Sequence, residues 1–282
     1  PGGAAAAGAD AAVAAEIAPP GVAEAAAASA RSSAAAARFP DRLWRPQAVL
    51  PATLYASRRC PHAQRVRIGL EEKGVTYEWV ETDAQAALPE LARAAGPQHM
   101  STPVLWSDGE YVQDSVVVLE YIQESFDGPP LLPTAPLVRA KVRWWTKFVD
   151  ADVVPHFDRL LNSRDADARA QSRAALAAGL AAFGGAMAPE QEGPFFLGDD
   201  LSMADIALAP WWQRIVTVLR AYRKFDTKGV CPRLQAWSEA LEARPSFART
   251  RADPERLIEE FAEYADLEES TRFCRRPALA RP

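Results

Sequence analysis

Cysteine is scarce in this sequence: 282 residues contain three, Cys60, Cys231 and Cys274. That odd, scattered set excludes a disulfide framework and a close-spaced zinc knuckle, so a reducing, cytoplasmic setting is expected and no metal is called for. Long apolar runs are missing as well. None approaches the ~20 residues that cross a bilayer, so no membrane span is expected. Positive charge is not in excess either: 32 basic side chains face 37 acidic ones, a net charge of −5. That balance offers no field for nucleic-acid phosphates, and no nucleic-acid partner is expected. What remains is an ordinary globular composition, 49% hydrophobic and 24% charged, long enough for about two domains.

Residues 1–48 read as an Ala-rich segment outside the fold. Alanine supplies 20 of the first 38 residues, and Val13, Ile17 and Val22 are the only larger aliphatics. No apolar face recurs, so nothing offsets the entropy of ordering the chain. The run from Ser29 to Arg38 has the Ala/Ser/Arg flavour of a transit peptide to a plastid or mitochondrion. Asp10, Glu16 and Glu24 argue the other way, because transit peptides are poor in acid.

Order is expected from Thr53. Thr53–Ala56 reads as a strand, and Cys60-Pro61 opens a helix, with proline at the first position where its missing N–H costs nothing. Gly74 supplies the stop. Val75–Val80 alternates as a second strand, and Pro89–Ala95 suggests a short helix. Pro103–Trp106 and Tyr111-Val112 form a hairpin around Asp108-Gly109, a pair that tolerates positive φ. Ser115–Glu124 is a helix. Beyond the proline-rich stretch from Asp127 to Pro136 the pattern is helical. Leu176, Leu180, Phe183 and Met187 line one face, as do Leu208, Trp212, Ile215 and Leu219. Ser202 and Asp205 form a capping box, stapled by Leu201 and Ile206. Arg233–Ala243 and Pro254–Tyr264 fit further helices, and Glu255–Glu269 reads as an acidic amphipathic tail helix, most simply a solvated surface. A small α/β domain over 51–126 is therefore expected ahead of an all-α domain over 136–268.

Cys60 is the sharpest chemical feature. It caps a helix directly after a strand, where first-turn N–H groups and the helix dipole favour a thiolate. The flanking Arg58 and Arg59 predict an exposed sulfur, whereas the alternative is a buried cysteine serving as a small hydrophobe. Cys60-Pro61-His62-Ala63 lacks the second cysteine of a dithiol motif. A mixed disulfide there must be resolved by an external thiol, which points to glutathione. Thr102-Pro103 at a strand start would pair its backbone with an extended peptide if the bond is cis. Asp114-Ser115 at a helix start could hold an ammonium and a carboxylate, or merely cap the helix. Trp144, Trp145 and Phe148 are candidates for an acceptor pocket, and Trp211, Trp212 and Arg214 for a second patch; core packing is the alternative for both. His62 is expected to face solvent, and Cys231 and Cys274 carry no role.

Cys60-Pro61-His62-Ala63-Gln64-Arg65-Val66, Thr102-Pro103-Val104-Leu105, Gln113-Asp114-Ser115 and Leu201-Ser202-Met203-Ala204-Asp205-Ile206-Ala207, in this order, resemble the glutathione transferase family. The resemblance spans roughly Pro51 to Phe247. The Cys-Pro-x-Ala-Gln-Arg pattern is similar to the cysteine-type subgroup, the omega, lambda and dehydroascorbate-reductase classes. It implies a thioredoxin-like N-terminal domain and an all-helical C-terminal domain. It further implies Cys60 as catalytic thiolate, Thr102 and Pro103 at the cysteinyl part of glutathione, and Asp114 and Ser115 at its γ-glutamyl end. The second substrate would be a disulfide or a small electrophile. A homodimer is implied, although cysteine-type members include monomers. Family members often carry a lysine for the glycyl carboxylate. Gln98-His99-Met100-Ser101 stands there instead, with His99 or Arg93 as the alternative candidates for that role. The rival readings are glutathione conjugation to electrophiles and a non-enzymatic binding module on the same fold.

Overall fold

The computed structural model describes residues 52–82 and 102–266. The N-terminal Ala-rich segment, the helix read over Pro89–Ala95, the loop with His99, and Cys274 lie outside the described residues. Within them, β1 (Ala52–Ala56), α1 (Pro61–Glu72), β2 (Tyr77–Glu81), β3 (Val104–Ser107), β4 (Glu110–Gln113) and α2 (Ser115–Ser125) make the α/β part. The strands line up β2-β1-β3-β4, with β1 and β2 parallel and the other two pairs antiparallel. The second strand starts at Tyr77 rather than Val75, because Val75 N–H donates to the Leu70 carbonyl at 2.9 Å and closes α1 behind Gly74, whose φ is +64°. Asp108 and Gly109 turn the hairpin at φ of 53° and 85°, the left-handed pair the sequence calls for.

Leu54, Ala56 and Leu105 of the sheet bury against Val66 and Leu70 of α1 and Val118, Leu119 and Ile122 of α2. The two helices approach closely at Gly69, where a Cβ would stand 2.5 Å from Leu119 Cδ2.

The helical part comprises α3 (Pro136–Phe148), α4 (Val154–Asn162), α5 (Ala166–Ala186), α6 (Met203–Arg214), α7 (Arg220–Arg223), α8 (Pro232–Ala243), α9 (Pro245–Thr250) and α10 (Pro254–Asp266). Single π-helical turns, Val149–Val153 and Ile215–Leu219, join α3 to α4 and α6 to α7. The sequence predicts one buried face for α6, yet all twelve of its residues are buried. The reason is that α1 and α3 both pack against it. Its capping box is present: Asp205 Oδ2 accepts from Ser202 N at 2.8 Å and Ser202 Oγ at 2.7 Å. The tail helix departs from its expected solvated role. In α10, Leu257, Phe261 and Ala265 recur every fourth residue and are buried, and Tyr222 Oη donates to the Ile258 carbonyl. Among the described residues no helix is long and apolar enough to cross a membrane.

Candidate functional site

Strand register determines what meets at the end of the sheet. Tyr55 pairs with Val104, and Val104 pairs with Gln113. One residue beyond that row lie Ala56, Pro103 and Asp114. The loop leading from β1 to Cys60, the Thr102-Pro103 bond and the start of α2 therefore share one end of the sheet. The Thr102-Pro103 bond is cis.

Cys60 is the residue before the first turn of α1, at φ −74° and ψ 121°, and Pro61 opens the helix. Its N–H donates to the Ser57 carbonyl at 3.0 Å, and its carbonyl accepts from Gln64 N at 3.1 Å. Arg58 and Arg59 are exposed, but Cys60 itself is only 2% exposed. This corrects the expectation of an exposed sulfur. The exposure of the preceding arginines does not extend to it; α6 packs on this part of α1, with Trp211 against His62 and Arg214 on the Arg59 carbonyl.

Asp114 sits at φ +70°, and its Oδ1 accepts from Val116 N at 2.9 Å and Val117 N at 3.4 Å. The carboxylate does cap α2. Ser115 is buried in the first turn, with Oγ 3.5 Å from His62 Nδ1. His62 does not face open solvent: its ring meets Trp211 edge-on at 5.4 Å, and Arg65 Nη1 lies 3.3 Å from Nδ1. Arginine can only donate, so Nδ1 accepts.

Two fully buried arginines then link the helices in opposite directions. Arg65 of α1 donates through Nε to the Ala207 carbonyl of α6 at 2.9 Å and pairs through Nη2 with Asp150 at 2.7 Å. Arg214, the last residue of α6, donates through Nη2 to the Arg59 carbonyl at 2.8 Å. Its Nη1 reaches Gln64 Oε1 and the Pro210 carbonyl, both at 2.9 Å. Sequence reasoning left Arg65 and Asp150 unassigned. The only local signal was the step of three from His62 to Arg65; Asp150 lies 85 residues further on.

The aromatic candidates separate. Trp145 packs on Phe183 and Phe196 at 5.8 and 5.9 Å, on the edge of the core, whereas Trp144 is 56% exposed and stacks on Phe148 at 5.5 Å. Asp150, two residues past Phe148, reaches α1, so this end of α3 faces the site. Trp211 and Trp212 are buried core, and Trp212 Nε1 donates to Ser238. Among the described residues no group of three or more His, Cys, Asp or Glu is gathered for a metal.

Residues 54–130 match the family model for the glutathione S-transferase N-terminal domain, and residues 166–240 match that for the C-terminal domain. A probable glutathione S-transferase of rice, GSTU6, is 34% identical over 192 residues, covering 65% of this chain and 80% of that protein. The Arabidopsis thaliana glutathione S-transferase L3 is 30% identical over 74% of this chain and 85% of that protein. Among solved structures, glutathione transferase Omega 3C from Trametes versicolor superposes with a TM-score of 0.68 at 32% identity, over 78% of this chain and 92% of that one. Rice GST1 in complex with glutathione superposes at 0.70 and 27% identity, over 78% and 98%. The names carried by these relatives differ in class, so the likeness fixes the family rather than a class within it. The thioredoxin-like sheet domain and the all-helical domain after it are the glutathione transferase fold, and the chain belongs to the glutathione S-transferase family.

Proposed function

We propose that this transferase is of the cysteine type, a glutathione-dependent thiol transferase and reductase with Cys60 as its nucleophile. The observation that carries the reading is the seat of Cys60, a thiol at the cap of a twelve-residue helix, one short turn after the interior strand β1. A helix start favours the anionic sulfur, and the thiolate is the reacting form.

The residues around it fit the parts of glutathione. An extended cysteinyl backbone would pair with Thr102 beside Pro103. Ser115 and the first amides of α2 would take the γ-glutamyl carboxylate, and Asp114 the ammonium. The acceptor would lie toward Trp144, Trp145 and Phe148, at the end of α3 that faces α1. Residues 51–126 would form the glutathione-binding domain and 136–268 the acceptor-selecting one. Glutathione in the rice GST1 structure supports the choice of ligand.

In the reaction, the Cys60 thiolate attacks the glutathionyl sulfur of a mixed disulfide. A Cys60–glutathione disulfide forms as the acceptor thiolate leaves and takes a proton. A second glutathione thiolate then attacks the glutathionyl sulfur, releasing oxidised glutathione and the Cys60 thiolate. With no second cysteine in the motif, glutathione is the only resolving thiol the scheme needs. Dehydroascorbate is a second acceptor class for the same thiolate.

Conjugation of glutathione to electrophiles is the competing reading, and the burial of Cys60 is what favours it, because a buried sulfur is hard for a bulky disulfide to reach. Cys60→Ser decides between them. Loss of mixed-disulfide reduction, together with loss of the single ~305 Da glutathione adduct on the intact protein, supports the thiol mechanism. Full retention of glutathione-dependent reduction overturns it.

A further inference from the structure

We infer that the all-helical domain carries a second binding site, a basic pocket that takes the phosphate groups of a small molecule. It lies apart from the sheet end that holds Cys60. Its lining residues belong to α5 and to the end of α7, and none to α1, α2 or α6.

The pocket has a volume of about 470 Å³, the size of a small-ligand site. From α5 come Ala166, Arg169, Ala170 and Arg173, which step by three, one and three and so share one helical face. Tyr222, Arg223 and Lys224 complete the lining. Four of these seven residues are cations and none is an acid. The acids nearest in sequence, Asp165, Asp167 and Asp226, stay outside the lining. Asp165 accepts from Asp167 N at 2.8 Å to cap α5, and Asp226 accepts from Lys228 N at 3.0 Å. Asp167 lies about 100° around α5 from Ala166.

The cations divide into one that builds the pocket and three that charge it. Arg223 is structural, donating to the Leu160, Leu161 and Ala265 carbonyls. Arg169 and Arg173 are also placed by carbonyls. Arg169 Nη1 donates to Ser163 and Arg164 at 3.0 and 2.8 Å. Arg173 donates to the Arg223 and Lys224 carbonyls and lies 5.6 Å over the Phe225 ring. A carbonyl fixes a guanidinium without cancelling its charge. Among the described residues, Arg169, Arg173 and Lys224 form no ion pair with a carboxylate.

Three like charges gathered in one concavity repel one another, and a bound anion relieves that repulsion. Guanidinium forks match phosphate oxygens, and an ammonium adds a point charge. The bonds from Arg173 tie α5 to the end of α7, so the two walls are set before a ligand arrives and little ordering is left for binding. Lys224 itself ends α7 at φ +50°, the left-handed position where glycine or asparagine usually stands. A lysine is strained there, so its charge can be removed by a residue the backbone prefers.

Isothermal titration of the full chain with pyrophosphate, at about 0.15 M salt to screen loose surface attraction, is the test. Lys224→Gly deletes one charge and eases the backbone. Ala170→Glu sets a carboxylate at an exposed position of the lining. The parent is expected to bind one pyrophosphate, and each variant to bind at least about tenfold more weakly. Should one variant fail to fold, the other decides. No saturable binding by the parent overturns the inference, as do variants that bind as tightly as the parent. Competition by glutathione also overturns it, because the anion would then sit at the sheet end. Displacement of pyrophosphate by phosphatidylserine vesicles would make the pocket a membrane contact instead. Cys60→Ser should bind pyrophosphate as the parent does, so this inference and the proposed function fail separately.

Discussion

Glu72, at the end of α1, accepts with its two carboxylate oxygens from Nε and Nη2 along one edge of the Arg244 guanidinium, 172 residues later, at 2.7 Å each. Ser246 donates to the same carboxylate, and Arg249 pairs with neighbouring Glu71 at 2.6 Å. Arg67 adds donors to the Thr250 and Arg249 carbonyls. The back of α1 is thereby fastened to α9, as its front is fastened to α6. Each end of the helix that carries the candidate thiol is tied to the all-helical domain.

Burial alone would raise the Glu72 carboxyl; the hydrogen bonds from Arg244 and Ser246 and the nearby positive charges outweigh it and hold the group below its ordinary value of 4.5. A depressed carboxyl contributes stability that is complete above the unfolded value and is lost as pH falls through the folded one. Glu72→Gln is expected to cost about 2 kcal/mol at pH 7, since it leaves a half-buried arginine without its charged partner. The difference from the parent should shrink as pH falls below 4.5. Urea unfolding at pH 7 and pH 3.5 measures both, and a gap that stays constant refutes the linkage.

Asp205 behaves in the opposite sense. Full burial pushes its carboxyl up, against hydrogen bonds from Ser202, Phe196 N and Trp237 Nε1 that pull it down. Asp205→Ala leaves those buried donors unmatched and is expected to cost about 3 kcal/mol or more. Asp205→Asn keeps an oxygen for Phe196 and Trp237 but turns an amide toward Ser202 N–H, so it should recover only part of the loss. Equilibrium unfolding of both variants checks the order, and an Asn variant as stable as the parent would remove the carboxylate from the account.

What was legible in the sequence was local. Ser202 and Asp205 announce a helix start by hydroxyl and carboxylate three residues apart, Asp108-Gly109 announces a hairpin, and Cys60-Pro61 announces a cap. Each is confined to a few residues, and each stands in the structure as read. What was hidden depended on partners far along the chain. Cys60 is buried where α6 packs on α1, and the grip of Arg214 on Arg59 crosses the domain boundary. The α10 helix was legible as amphipathic but not as packed: Leu257, Phe261 and Ala265 keep helical spacing, while the element they bury against lies elsewhere in the chain and the surrounding glutamates suggest a solvated surface.

Gly69 is a packing requirement rather than a turn. In a helix interior, Gly→Ala normally gains up to about 1 kcal/mol. Here the new Cβ would meet Leu119 Cδ2 at 2.5 Å inside the contact between α1 and α2. Overpacking of that kind costs about 1–3 kcal/mol, so Gly69→Ala should destabilise on balance. Adding Leu119→Val, which shortens the clashing side chain, should return part of the loss. Thermal melts of the two single variants and the double variant give the coupling, and simple additivity would show that the helices move apart freely.

Ser115 provides the sharpest kinetic separation. Its hydroxyl stands in the first turn of α2, 3.5 Å from His62, at the sheet end it shares with Cys60 and Thr102. If it donates to the γ-glutamyl carboxylate, the bond serves ground state and transition state alike, and its loss raises KM without lowering kcat. A hydrogen bond to a charged group is worth about 1.5 kcal/mol, so Ser115→Ala should raise the KM for glutathione about tenfold with kcat within about twofold. Asp114→Asn tests the other half of the clamp and reports differently. The Asn side-chain oxygen can still accept from Val116 N–H and keep the cap, so the helix should survive while the ammonium loses its charged partner. Steady-state kinetics against glutathione at a saturating second substrate measures both variants. An unchanged KM in Ser115→Ala, with the helix intact by circular dichroism, would take the γ-glutamyl end of glutathione away from α2 altogether.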